Sequence, residues 1–375
     1  MTQRVAVAGA GAFGGWIALH LARRGCTVTL VDPWGPANTR ASSGDETRIV
    51  RANYGKHTQY VGLGARALEL WPDFEQERGI RLIERTGMLW MESDPDEAYK
   101  ASWPLLDAAG IAYEVFTPEE TARRYPQINI EGMLYAHFEH GAGYAYARRA
   151  CNAVFEAFLE AGGSYVQAGV APVLEQGGAL DRVALHDGQR IAADTFIFAC
   201  GPWLGQVLPE ALGHLITPTR QEIFYFGEPA GNSPFHEAHL PVWVDHRDLF
   251  FYGIPGNERR GFKVGDDRRG DPAEPTTMER AATPEWSART RAYLEERFPG
   301  MKGAPITEAR VCQYENTPDN DFILDRHPCL ENVWVAGGGS GHGFKHGPAI
   351  GEYLSGVVLD GTPVRPEFGF ARFAL

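Results

Sequence analysis

No apolar run in the sequence approaches the roughly 18 residues a membrane-spanning helix requires, and no basic leader with an apolar core and cleavage site precedes the first strand. The expectation is a cytoplasmic protein with no membrane partner. Positive charge is in deficit as well. Against 48 Asp and Glu stand 35 Lys and Arg, a net charge of −13, which argues against nucleic acid or an anionic surface and favours a small-molecule partner. Cysteine is scarce: Cys26, Cys151, Cys200, Cys312 and Cys329 are an odd set without a CxxC pair. Neither a disulfide framework nor a zinc site is indicated, no metal is expected, and each cysteine taken singly reads first as a small buried hydrophobe. No internal repeat or low-complexity tract interrupts the 375 residues, a length that calls for two or three cores rather than one.

Glycine, by contrast, is placed with purpose. Residues 4 to 8 are a short apolar run, followed by Gly9, Gly11 and Gly14 in GxGxxG spacing, then Trp16, Ile17, Leu19 and Leu21 before Gly25. The pattern reads as strand, tight turn, helix and stop. Thr27 to Val31 reads as a second strand that closes with Asp32, which completes a βαβ unit. The first glycine permits the turn, the second lets backbone approach a pyrophosphate, and the third lets helix and strand pack closely, while Asp32 is suited to ribose hydroxyls. The alternative is a glycine-rich turn without a ligand, and the motif does not by itself separate NAD from FAD.

Further along, Val61 to Trp71 has helical spacing, Thr86 to Met91 alternates like a strand, and an acidic helical stretch covers 94 to 110. Ala147 to Ala161 predicts a helix ended by Gly162 and Gly163, with a strand over Ser164 to Val170. Thr195 to Cys200 is a continuous apolar run ending in Gly201-Pro202-Trp203, the form of a buried parallel strand with a functional loop. Short alternating segments between Thr217 and Gly265, such as Glu222 to Phe226 and Leu249 to Ile254, predict antiparallel strands. The polar stretch 265 to 284 reads as a surface loop before a helix from Pro284 to Phe298. The expected fold is α/β: a Rossmann-like dinucleotide-binding domain from 1–83, 146–216 and 306–375, with an inserted α+β substrate domain from 84–145 and 217–305 built on a mainly antiparallel sheet.

Two blocks carry candidate chemistry. In Ser42-Ser43-Gly44-Asp45-Glu46-Thr47-Arg48-Ile49-Val50-Arg51, the arginines would share a face on a helix or in a tight turn, suited to bidentate capture of a carboxylate or phosphate. The alternative is a surface salt-bridge pair. Near the C-terminus, Cys312-Gln313-Tyr314 precedes the apolar run Val333 to Ala336, the turn Gly337 to Lys345 and a helical pattern from Pro348 to Leu354. A helix N-terminus and Lys345 there would stabilise negative charge. Gly338-Gly339-Ser340-Gly341-His342 lacks the closing glycine of GxSxG, and His342 and His346 have no HExxH glutamate between them, so a hydrolase and a zinc peptidase are set aside.

Taken in order, the loop Gly9 to Gly14, the run Gly44 to Arg51, Cys200-Gly201-Pro202-Trp203, Gly261-Phe262-Lys263-Val264-Gly265, Cys312-Gln313-Tyr314 and Gly339 to Lys345 resemble the monomeric sarcosine oxidases. More broadly they resemble the FAD-dependent amine oxidases of the D-amino acid oxidase superfamily. The resemblance implies FAD rather than NAD, held by Gly9, Gly11, Phe13, Gly14, Asp32, Ser42, Ser43, Arg48, Val170, Gly201, Trp203, Gly341, Gly343, Phe344 and Lys345. It implies a thioether from Cys312 to the flavin 8α-methyl group, the alternative being an unmodified cysteine. It also implies that Arg51 and Lys345 hold the substrate carboxylate, that Lys263 assists reaction with oxygen, that Arg48 lies near the flavin and Tyr314 near the substrate. Asp267 stands where the family places an active-site histidine, which makes sarcosine itself doubtful as substrate. The implied activity is oxidation of secondary amines, N-alkyl or cyclic amino acids, with O2 as acceptor, giving an imine and hydrogen peroxide, in a monomer. The rivals are a dehydrogenase with another acceptor, a decayed flavoprotein subunit and an NAD enzyme.

Overall fold

Arg4–Ala8 and Thr27–Val31, short and apolar, pair in parallel at the middle of a six-stranded sheet. In this computed structural model, residues 2–174, 177–247 and 250–373 are described. The sheet runs Ile323–Arg326, Val333–Gly337, Thr195–Phe198, Arg4–Ala8, Thr27–Val31, Ser164–Val166. All pairs are parallel except that of Ile323–Arg326, which closes one edge antiparallel. The helices Ala12–Arg23, Ala147–Glu160 and Gly347–Asp360 contribute Trp16, Leu19, Val154, Phe158, Ile350 and Leu354 to one buried core. The carboxyl ends of these parallel strands therefore open on a single side, where a doubly wound sheet binds its ligand.

The second sheet has eight strands in the order Ile306–Asn316, Thr217–Phe226, Phe262–Asp266, Phe250–Ile254, Val242–His246, Met88–Glu92, Tyr135–Glu139, Tyr113–Phe116. It is antiparallel apart from the pairing of Val242–His246 with Met88–Glu92. Alternation divides its residues between two faces. Leu89, Met91, Phe224, Trp243, Phe251 and Val264 form one core with Tyr293 and Leu294 of the helix Pro284–Arg297. Within that core Asp245, fully buried, accepts hydrogen bonds from Arg297 Nε at 2.7 Å and Tyr293 Oη at 2.8 Å. Arg297→Met would remove the main partner of this carboxylate, leaving Tyr293 and the more distant Arg247 at 3.4 Å, and lower stability by about 3 kcal/mol, to be read as a shifted denaturant midpoint.

The opposite face is continuous across six strands. Cys312 lies opposite Gln221, Ile223 opposite Gly265, Gly265 opposite Tyr252, Tyr252 opposite Val244 and Val244 opposite Trp90. Lys263 pairs with Ile254 and so belongs to the same face. Residues far apart in sequence thus share one floor.

Several expectations change in detail. Arg48 and Arg51 are not on a helix or in a tight turn: Arg48 lies within the strand Thr47–Val50, which pairs with Gly143–Tyr146, and Arg51 follows the strand end. The stretch 94 to 110 divides into a 3-10 segment, Glu97–Ser102, and a short helix, Trp103–Ala108. Ser164–Val166 stops short of Val170, which makes only an isolated bridge to Leu185. Leu249, expected to begin a strand, lies outside the described residues, and the strand begins at Phe250. The segment after Gly265 is not simply a surface loop, because Asp266 ends the strand Phe262–Asp266 and Asp267 and Arg269 then turn inward to line a cavity. Among the described residues no helix is long and apolar enough to cross a membrane.

Candidate active site

Between the two sheets lies a cavity of about 660 Å³. Of the residues the sequence singled out, all line it except Gly14. Gly14 serves the loop from behind: a Cβ there would stand 1.8 Å from the Gly9 carbonyl oxygen. Gly9 has φ +103°, and a side chain on it would meet the Ala199 carbonyl oxygen at 2.2 Å. The turn is therefore open only to glycine. Asp32, 8% exposed, accepts hydrogen bonds from the backbone N–H of Ala10 at 2.9 Å and of Trp34 and Gly35 at 2.8 Å. Burial raises its pKa against the pull of these bonds. Its carboxylate fixes both flanking turns as well as facing the cavity.

Buried polar atoms without partners mark where a ligand belongs. The hydroxyls of Ser42 and Ser43 and Oε2 of Glu315 have no hydrogen-bond partner among the described residues, and all three side chains line the cavity. Burial pushes the Glu315 carboxyl up to about 7, with only the Gly339 N–H opposing it. A ligand with a hydroxyl-rich, uncharged portion opposite these groups and phosphates at the glycine loop satisfies such a lining, and a dinucleotide has that composition.

Lys263, 1% exposed, is no solvated strand lysine. Its Nζ donates to Asp45 Oδ2 at 2.5 Å and to the Thr47 carbonyl at 2.8 Å. Burial brings its pKa down to about 8 although Asp45 pulls it upward. Asp45 also accepts from Arg48 Nη1 at 2.7 Å and Tyr225 Oη at 3.0 Å. Burial alone would raise Asp45, but Lys263 and Arg48 hold it well below the usual carboxylate range. Arg48 Nη2 donates to the Ser42 carbonyl at 2.7 Å and stands 3.6 Å from Cys312 Sγ. Cys312 is buried, 7% exposed, and opens on the cavity.

A second cationic group lies along the same cavity. Lys345 Nζ donates to Tyr54 Oη at 2.9 Å and to the His342 carbonyl at 2.6 Å, both neutral oxygens. Arg51 donates to the Asn53 carbonyl and lies 4.1 Å from the Tyr54 ring centre and 5.1 Å from that of Trp90. Burial and the neighbouring Arg51 drive the Lys345 pKa well below its ordinary value. Behind them, buried Glu139 accepts from the N–H groups of Ala52 and Asn53 at 2.8 and 2.9 Å, which fixes the chain that leaves Arg51. An arginine and a lysine crowded together, with carbonyls, a phenol and rings as partners, form a receptor for an anion, whose charge would favour the protonated lysine.

Asp267 is engaged rather than open. Tyr314 Oη donates to it at 3.1 Å and Arg269 Nη1 at 3.2 Å, while Arg269 lies 5.2 Å from the Tyr314 ring centre. Burial raises its pKa and Arg269 opposes this. The negative field expected at this position is therefore largely offset. Gly341, with φ +85°, admits the Tyr314 ring, which a Cβ would contact at 2.5 Å. Arg269, Tyr54, Trp90, His246 and Tyr252 are lining residues that sequence reasoning passed over. The alternation of Thr86 to Met91 and of the segment up to Ile254 was the visible signal for Trp90 and Tyr252, while Tyr54, His246 and Arg269 had none.

A parallel sheet with a glycine loop at its carboxyl edge, facing an antiparallel sheet that bears a cysteine and a buried lysine, defines a dinucleotide-dependent oxidoreductase. The chain belongs to the DAO family of FAD dependent oxidoreductases, matched over residues 4–356. It is 30% identical over 379 residues to monomeric sarcosine oxidase from Bacillus sp. (strain NS-129), covering 99% of this chain and 96% of that protein. It is 27% identical over 381 residues to N-methyl-L-tryptophan oxidase from Yersinia pestis (strain Pestoides F), covering both fully. The fold is shared with L-proline dehydrogenase from P. horikoshii, with TM-score 0.86, 22% identity and coverage of 99% of this chain and 98% of that one.

Proposed function

We propose that this protein is an FAD-dependent oxidase of secondary amines that carry a carboxylate, such as N-alkyl or cyclic amino acids, with O2 as acceptor. The observation that carries this reading is the Arg51 and Lys345 pair, held by neutral groups on the same cavity wall system as Cys312 and Lys263. FAD, when bound, would supply the redox chemistry, a two-electron oxidation of the carbon beside nitrogen that yields an imine, which water hydrolyses, with O2 taking the two electrons and two protons to become hydrogen peroxide.

The residues of the chain prepare that exchange. Arg51 and Lys345 anchor the carboxylate and so fix which C–H bond is presented. Their charge also disfavours protonation of the substrate nitrogen, keeping the lone pair that imine formation requires. Gly9, Gly11, Asp32, Ser42 and Ser43 hold the dinucleotide end, Arg48 flanks the ring, and Tyr314 with Asp267 borders the substrate. Lys263 sets a buried cation where negative charge develops on oxygen. In this reading segments 1–83, 146–216 and 306–375 serve the cofactor, and 84–145 and 217–305 serve the substrate.

Cys312 is the proposed tether, through a thioether to the flavin 8α-methyl group. Acid precipitation of the purified protein is expected to leave the yellow colour in the pellet, and Cys312→Ser to release it into the supernatant. Colour in the wild-type supernatant removes the tether, and a colourless protein counts against FAD. Peroxide release on a panel of secondary amino acids tests the activity itself, and its absence together with reduction of an artificial acceptor would favour a dehydrogenase.

A further inference from the structure

Beyond the carboxylate anchor the cavity has a second character. Trp90, whose ring faces Arg51 at 5.1 Å, lies 5.9 Å from the ring of Phe250. Phe250 in turn lies 5.7 Å from the His246 ring, which sits 4.1 Å from that of Tyr99. All four line the cavity, with Val244 between them on the sheet floor. The result is a row of flat, mostly apolar surfaces that begins at the anchor.

One buried carboxylate sets two of those surfaces. Glu92 is 0% exposed and lies two residues from Trp90 on the same sheet face, opposite His246. Its Oε1 accepts from His246 Nδ1 at 2.8 Å and from the Asp94 N–H at 2.8 Å, and its Oε2 accepts from Trp90 Nε1 at 3.3 Å. Taking a carboxylate out of water is expensive unless hydrogen bonds replace the water. Here two of the three replacements come from wall rings, so the orientation of each ring is locked. Rigid aromatic walls favour flat guests that stack or meet them edge-on, whereas a substrate without a side chain leaves them in contact with water.

We propose that the substrate is a secondary amino acid with a bulky planar side chain, received by Trp90, Phe250, His246 and Tyr99, and that Glu92 is the positioning residue for this pocket. The proposal rests on the amine oxidase reading above and adds the substrate class to it.

The test uses the holoenzyme and ligands that cannot be oxidised. Phenylacetate and indole-3-acetate, followed by the change in the bound flavin's absorbance, are expected to bind at least about tenfold tighter than acetate. The value of kcat/KM for N-methylphenylalanine or N-methyltryptophan is expected to exceed that for N-methylglycine by a similar factor. Trp90→Ala and Glu92→Gln should each shrink this discrimination about tenfold, and Trp90→Phe should restore most of it, since a flat wall is retained. Equal binding of acetate and the ring acids, or equal turnover of N-methylglycine, overturns the proposal while leaving the amine oxidase reading intact. Selective binding of the ring acids with no peroxide from any amine supports the pocket and sinks that reading instead. A Glu92→Gln variant that weakens small and large ligands alike removes Glu92 from the proposal.

Discussion

Replacing Lys263 with methionine slows the reaction of the reduced protein with oxygen by about 10²–10³-fold, the range seen when one preorganised donor to developing negative charge is lost. Stopped-flow mixing of anaerobically reduced protein with oxygenated buffer measures it directly. The amine half-reaction, followed as loss of flavin colour without oxygen, stays within a few-fold, because Arg51 and Lys345 are untouched. The fold survives, since Asp45 keeps Arg48 and Tyr225 as partners. A pH dependence accompanies the effect. Burial lowers the Lys263 pKa to about 8, so the cation is present below that pH and is lost as pH rises through it. The oxygen step in the parent protein should therefore decline above about pH 8, and that limb should vanish in Lys263→Met. Reoxidation at the parent rate in the variant would take Lys263 out of the mechanism.

Arg51→Gln is expected to lower kcat/KM for carboxylate-bearing amines by about 10² or more, following the roughly 2–5 kcal/mol lost when one member of a buried charge pair is truncated. The specificity of the loss is its signature. A secondary amine without a carboxylate should change by no more than about threefold, so that the ratio between the two substrates collapses. Glu139 would still hold the backbone of Ala52 and Asn53, which keeps the loop in place. A uniform loss on both substrates would assign Arg51 to cofactor placement or folding, and would leave Lys345 to carry the anchor alone.

The legible part of this molecule was the part where backbone geometry dictates residue type. Gly9 and Gly14 are demanded by contacts that no side chain survives, and the loop could be read because the constraint is local. The roles of Lys263 and Cys312 were reachable only through the resemblance, since a lysine on a strand has the same local pattern whether buried or solvated and a lone cysteine reads as a small hydrophobe, whereas the turn before Lys345 already marked it as a fixed cation. What the sequence hid is the common floor. Trp90 lies on a strand far in sequence from the adjacent strands of His246 and Tyr252, and only the register between strands brings the three to one face. Arg269 was hidden for a different reason: it lies in a stretch rich in charge, where inward and outward arginines look alike until Asp267 and Tyr314 are placed beside it. The pair Arg48 and Arg51 was read with the wrong local geometry, and the strand Thr47–Val50 sends the first toward Cys312 and the second toward Trp90.

The shared sheet face also bears on how this chain can vary. Inserting or deleting a single residue within Met88–Glu92 or Phe250–Ile254 would exchange the cavity-facing set for the core-facing set along the rest of that strand, bringing Met91 or Phe251 to the pocket and taking Trp90 or Tyr252 into the core. Changes in length should therefore accumulate in the connecting loops and be purged from these strands, while point substitutions at the Trp90 and Phe250 positions alter the pocket without disturbing the frame. Descendants of this protein can change what they accept one side chain at a time, at the end of the floor farthest from Cys312.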